Sequence, residues 1–140
     1  MIRLSFIAVA CALVALSYVP TNASPHPTTQ IVKMDLGIKP TSSKYGEVGG
    51  FNPAILTVHV GDKVIWENVN SVTHTATSHL FPTDGRITTG TKIGSAPWSS
   101  GDVAPHQKSR AFIAAKSGVY HYSCGYHTSM GQRGVIIVLP

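Results

Sequence analysis

No stretch of this chain sustains the 3.6-residue apolar period of an amphipathic helix. Its apolar residues come instead in short runs punctuated by Gly, Pro, Asp and Ser, which restricts the chain to a turn-rich β architecture. Residues 54–60 alternate apolar and polar from Leu56 onward and end at Gly61-Asp62, a turn signal, after which residues 63–68 form a second run. Two such runs about one turn read as consecutive strands. Residues 31–36 supply another run nearer the N-terminus. Residues 109–114 and 118–124 resemble a further strand pair, separated by Lys116, Ser117 and Gly118. Residues 134–139 are continuously apolar, as in a strand buried on both faces. Residues 39–50 are loop-like, and residues 71–105 are rich in Thr, Ser, Gly and Pro, too long for a mere turn. There is no internal repeat. The predicted fold is all-β, with about seven to eight short strands in a sandwich or small barrel. Only 12% of residues are charged, and 13 Gly and 9 Pro supply the turns. A length of 140 residues fits one domain and argues against a two-domain enzyme.

The N-terminus reads as a separate unit. Arg3 precedes a predominantly apolar stretch over residues 4–16, and Thr21, Asn22 and Ala23 come next as small or polar residues. This is the anatomy of a signal peptide over residues 1–23. Retention as a membrane anchor is the alternative, although the apolar stretch falls short of the roughly 20 residues that span a bilayer. A Pro/Thr-rich lead-in over residues 24–30 and a domain over residues 31–140 complete the organisation.

Removing the leader changes the cysteine arithmetic. Cys11 leaves with it, and Cys124 remains alone. An exported chain with one Cys forms no internal disulfide, and its thiol needs burial or a metal. The formal charge of +5 falls to about +4 without Arg3. The remaining basic residues are scattered singly, so no nucleic-acid partner is expected.

Cys124, His127 and Met130 place a thiolate, an imidazole and a thioether at three-residue intervals between two strand-like runs. A loop there can turn all three toward one centre. Thiolate with thioether favours copper, whereas zinc sites use Cys, His and carboxylates and seldom Met. One further imidazole completes a His2Cys set with a weak axial Met, and His74 is the best candidate. His79, His106 and His121 are the alternatives: His121 is out of phase with the core of its strand, and His79 requires its loop to turn back. His26 and His59 read as solvated. The bland readings are an inert buried thiol at Cys124 and a gap-filling side chain at Met130. Trp66 and Trp98 need no role beyond packing.

Phe51-Asn52-Pro53, Leu56, Val58, Gly61-Asp62, Val64, Trp66 and Asn68 reproduce the pattern F-x-P-x-x-L-x-V-x-x-G-D-x-V-x-W-x-N, which leads to an upstream His, here His74. Residues 118–124 resemble the strand that ends in a Cys ligand. Both resemble the cupredoxins, the small blue copper proteins of the plastocyanin and azurin superfamily, over residues 31–139. The Cys-x-x-His-x-x-Met spacing is similar to that of the amicyanins. The resemblance implies a Greek-key β-sandwich holding one copper ion, with His74, Cys124 and His127 as equatorial ligands and Met130 as the axial one. Two departures stand out. Thr75 comes directly after the first His where many cupredoxins have Asn, and the link from Met130 through Gly131, Gln132 and Arg133 to Gly134 is one residue longer than usual.

The function implied is an exported, monomeric one-electron carrier cycling between Cu(I) and Cu(II). Redox partner proteins would dock transiently on an apolar patch around His127, to which Tyr126, Phe81, Pro82 and Pro105 are the candidate contributors. The alternatives are small-molecule redox catalysis at an open axial position, and copper storage or delivery.

Overall fold

The computed structural model of the protein describes residues 27–78 and 98–140. The expected leader over residues 1–23 lies outside the described residues, as do His26, His79, Phe81 and Pro82. Ten strands occur among the described residues: β1 (Thr29–Met34), β2 (Thr41–Ser43), β3 (Gly46–Val48), β4 (Phe51–Asn52), β5 (Ile55–His59), β6 (Lys63–Asn68), β7 (Thr77–Ser78), β8 (Phe112–Ile113), β9 (Gly118–Ser123) and β10 (Arg133–Leu139). Among these residues no helix is long and apolar enough to cross a membrane.

Two four-stranded sheets face each other, in the orders β4-β1-β6-β8 and β5-β10-β9-β7. Alternation sends Val32, Met34, Val64 and Trp66 inward from the first sheet, and Val58, Tyr120, Tyr122, Ile136 and Val138 inward from the second. Trp66 is the centre of this core: it stacks on Trp98 at 5.1 Å and meets Tyr122 edge-on at 5.3 Å. Fully burying a large apolar side chain contributes about 1.5–3 kcal/mol. Both Trp residues are packing residues, as the sequence implied.

The sandwich is the architecture expected, but the connections differ from those the turn signals implied. The runs flanking Gly61-Asp62 are consecutive strands in different sheets, since β5 pairs in parallel with β10 and β6 pairs in parallel with β1. The turn carries the chain across the sandwich. Its carboxylate holds the crossing in place: Asp62 accepts the Thr28 N–H (2.7 Å), the Thr28 hydroxyl (2.9 Å) and the His59 N–H (2.8 Å). These bonds stabilise the charged form and hold the Asp62 pKa below the ordinary carboxylate value, the His59 N–H having the largest effect. Likewise β8 and β9 are not a pair. β8 joins β6, β9 joins β10, and the Tyr120 hydroxyl donates to the Lys116 carbonyl across the link.

Two further differences concern elements too short or too polar to show a period. Residues 39–50, expected as loop, contain the β2–β3 hairpin. The hairpin is pinned to β10 by reciprocal Gly49–Arg133 backbone bonds of 2.9 Å, and its Tyr45 ring packs on His121 on the outer side of β9. This places β10 between the core and the hairpin, which is why adjacent Val135 and Ile136 are both fully buried. β1 begins at Thr29, so Thr29 and Gln30, expected in the lead-in, belong to the first sheet.

Candidate metal centre

β6 runs from the Asp62 turn to the site, with Val64, Trp66 and Asn68 alternating inward. Asn68 is fully buried and organises the segment beyond the strand. Its Nδ2 donates to the carbonyls of Val72 (2.7 Å) and Val103 (2.9 Å), and its Oδ1 accepts the Asn70 N–H (2.9 Å). The chain is thereby folded back so that His74 bridges Val103, with backbone bonds of 3.1 and 2.8 Å. Asn70 Oδ1 accepts the Leu36 N–H (3.0 Å) and lies 3.0 Å from His74 Nε2. An amide oxygen only accepts, so this network assigns the proton to Nε2 and leaves the Nδ1 lone pair free. That Nδ1 lies 3.7 Å from Cys124 Sγ.

Cys124 lies just beyond β9 and is fully buried. Its Sγ accepts the Thr75 N–H at 3.3 Å, while Thr75 Oγ1 accepts the Gly125 N–H at 2.8 Å. The Thr that stands where many cupredoxins have Asn therefore does tie the two ligand segments together. His127 N–H donates to the Cys124 carbonyl (3.3 Å) and brings His127 Nδ1 to 3.4 Å from Sγ. A 3-10 turn (Thr128–Met130) closes on Gly131, whose φ is 80° and at which any Cβ would collide with Pro40 Cγ. Only glycine meets both conditions. Cys124 N–H donates to the Gln132 carbonyl (3.1 Å), and Gln132 N–H donates to the His127 carbonyl (3.2 Å).

The donor atoms of His74, Cys124 and His127 all lie within 4.8 Å of one another, with His74 and Cys124 buried and His127 half-buried. One thiolate and two imidazoles around a common centre suit copper, for which this soft and borderline donor set is well matched. Burial lowers the His74 pKa, positive charge on His127 lowers it further, and the Gln132 side chain opposes both. A neutral ring is the form that binds a metal.

The structure brings together His74, Cys124 and His127. Met130 lies in the 3-10 turn and is 61% exposed. His106 is exposed, and His121 is on the outer side of β9 against Tyr45, so neither belongs to the cluster. Tyr126 is 57% exposed beside His127, but its hydroxyl donates to Asp102 Oδ1 (3.0 Å). That bond raises the Tyr126 pKa and puts a carboxylate at the edge of the expected apolar patch. Asn70 and Gln132 escape sequence reasoning because nothing in their neighbourhood marks an amide as a support for a ligand.

Fold and donor set together define a copper-binding β-sandwich of the cupredoxin class. Residues 41–139 match the copper binding proteins of the plastocyanin/azurin family, and the chain belongs to that family. It is similar in structure to a purple cupredoxin from Nitrosopumilus maritimus (TM-score 0.53, 21% identity, covering 78% of this chain and 98% of that one). It is also similar to a pseudoazurin from Sinorhizobium (TM-score 0.52, 23% identity, 81% and 75% covered). An amicyanin variant in its reduced state gives a TM-score of 0.50 at 20% identity, with 84% and 85% covered. No curated protein matches the chain.

Proposed function

We propose that the protein is a one-electron carrier in which copper, held by His74, Cys124 and His127, cycles between Cu(I) and Cu(II). The observation that carries this reading is the convergence of the three donors: both imidazoles turn Nδ1 toward Sγ. Bound copper supplies the redox couple. The chain's part is to keep the donors from rearranging between oxidation states, through Asn70 on one imidazole, Thr75 on the thiolate and the Gln132 backbone across the loop. Cys124 and His74 are sealed in, so the half-buried His127 is the shortest route to the surface.

Tyr126 and Met130, both exposed in the His127 loop, form the apolar part of the docking surface for a redox partner, with Asp102 at its edge. The leader-like residues 1–23 support export, and the carrier acts as a monomer. Voltammetry of the copper-loaded protein tests the reading: a reversible one-electron wave is expected, and irreversible loss of copper on reduction would argue for delivery instead. Tyr126→Asp should slow electron transfer to a partner while leaving the potential in place; unchanged kinetics would count against this surface.

A further inference from the structure

Gln132 is a fully buried polar side chain whose oxygen has no hydrogen-bond partner among the described residues. Its orientation is not arbitrary. Nε2 lies 2.9 Å from the Gly50 carbonyl, which can only accept, so the amide nitrogen must be on that side and Oε1 on the other. The contact is tight: a Cβ on Gly50, whose φ is 66°, would lie 2.5 Å from Gln132 Cγ. The backbone of Gln132 is bonded to two of the metal-binding residues, accepting from Cys124 N–H (3.1 Å) and donating to the His127 carbonyl (3.2 Å). A buried carbonyl oxygen without a partner, on a residue whose backbone is bonded to two metal donors, lacks what a cation supplies.

Met130, by contrast, is held outward. The 3-10 turn ends at left-handed Gly131 and reverses the chain, leaving Met130 61% exposed and the next side chain, Gln132, inside.

We infer that the Gln132 amide oxygen, and not the Met130 sulfur, is the weak fourth ligand of the copper. This rests on the proposed copper site and changes its chemistry. An oxygen donor is harder than a thioether and favours Cu(II) over Cu(I), so the potential should lie lower than a Met ligand would set it.

The test uses the full chain loaded with copper, labelled with methyl-13C methionine and 15N. On loading with Cu(I), the Gln132 side-chain amide resonances should shift and the Met130 methyl should not. On loading with Cu(II), Met130→Ala should leave the charge-transfer band and midpoint potential in place, whereas Gln132→Met should raise the potential and Gln132→Glu should lower it and make it pH-dependent. A Cu(I)-induced shift of the Met130 methyl, or a potential that responds to Met130→Ala and not to the Gln132 variants, would overturn the inference. Should the Gln132 variants fail to fold, the wild-type resonances still decide: movement of the amide with a stationary methyl supports it, and a stationary amide overturns it. Absence of the thiolate band from wild-type protein is a different failure, that of the copper site itself.

Discussion

The two segments that carry the metal donors are built in opposite ways. The Cys124 segment is local: residues 124–132 are closed by backbone bonds among Cys124, His127, Thr128 and Gln132, so the spacing of the ligands in sequence nearly determines their spacing in space. The His74 segment is held from afar, by Asn68 at the end of β6, by Val103 from another loop and through Asn70 by Leu36. A local loop can form wherever its own turn chemistry allows, whereas His74 reaches its place only when the sandwich has assembled. Thr75, joining Sγ and Gly125 to the His74 segment, is where the two meet.

Asn68→Ala should disturb the remotely held segment most severely. It strips the Val72 carbonyl and the Asn70 N–H of their partner, leaves the Val103 carbonyl with the His74 N–H alone, and should destabilise the protein by about 2–4 kcal/mol. Chemical denaturation of the metal-free protein measures this, and a loss under about 1 kcal/mol would mean that the His74 segment is self-supporting. The matching change in the local loop is Gly131→Val, which forces a branched side chain into φ 80° against Pro40 and should cost about 2–3 kcal/mol. Copper affinity should fall with it; stability lost with affinity intact would separate the turn from the site.

At the far end of β6, Asp62 provides a control on long-range support that does not touch the donors. Its pKa is lowered on folding, so its contribution is present above the unfolded carboxylate value of about 3.9 and is lost as pH falls through the folded value. Asp62→Asn should therefore cost about 1 kcal/mol at neutral pH, with a gap to wild type that closes in acid, and leave the copper spectrum unchanged. A pH-independent gap would show that hydrogen-bond geometry and not charge holds the turn. The smallest effect is expected of Thr75→Val, which removes the acceptor for Gly125 N–H but keeps the N–H to Sγ. A cost of about 1 kcal/mol by thermal unfolding is expected, and no cost would mean that the segments are coupled only through the metal.

The same asymmetry explains which residues are legible in the sequence. Cys124 and His127 are legible because their segment is local, and His74 because a strand pattern runs straight into it. Asn70 and Gln132 are not, since their value comes from partners 34 and 82 residues away, Leu36 and Gly50. In the fold, the apolar runs mark β6 at its observed bounds and β10 within a residue. The Gly61-Asp62 and Lys116–Gly118 links show turns but not sheet membership, because a turn signal says that the chain changes direction and not which sheet it enters. The β2–β3 hairpin carries Thr, Ser and Glu with no alternation, so its strands leave no trace.

Whether the three donors hold copper as a thiolate-ligated redox centre is decided by the visible and EPR spectra of the copper-loaded protein. An intense thiolate-to-Cu(II) charge-transfer band with one copper bound per chain is expected, lost in Cys124→Ala and retained in His106→Ala. A wild-type protein that takes up Cu(II) without that band, or a Cys124→Ala variant that keeps it, would contradict the assignment.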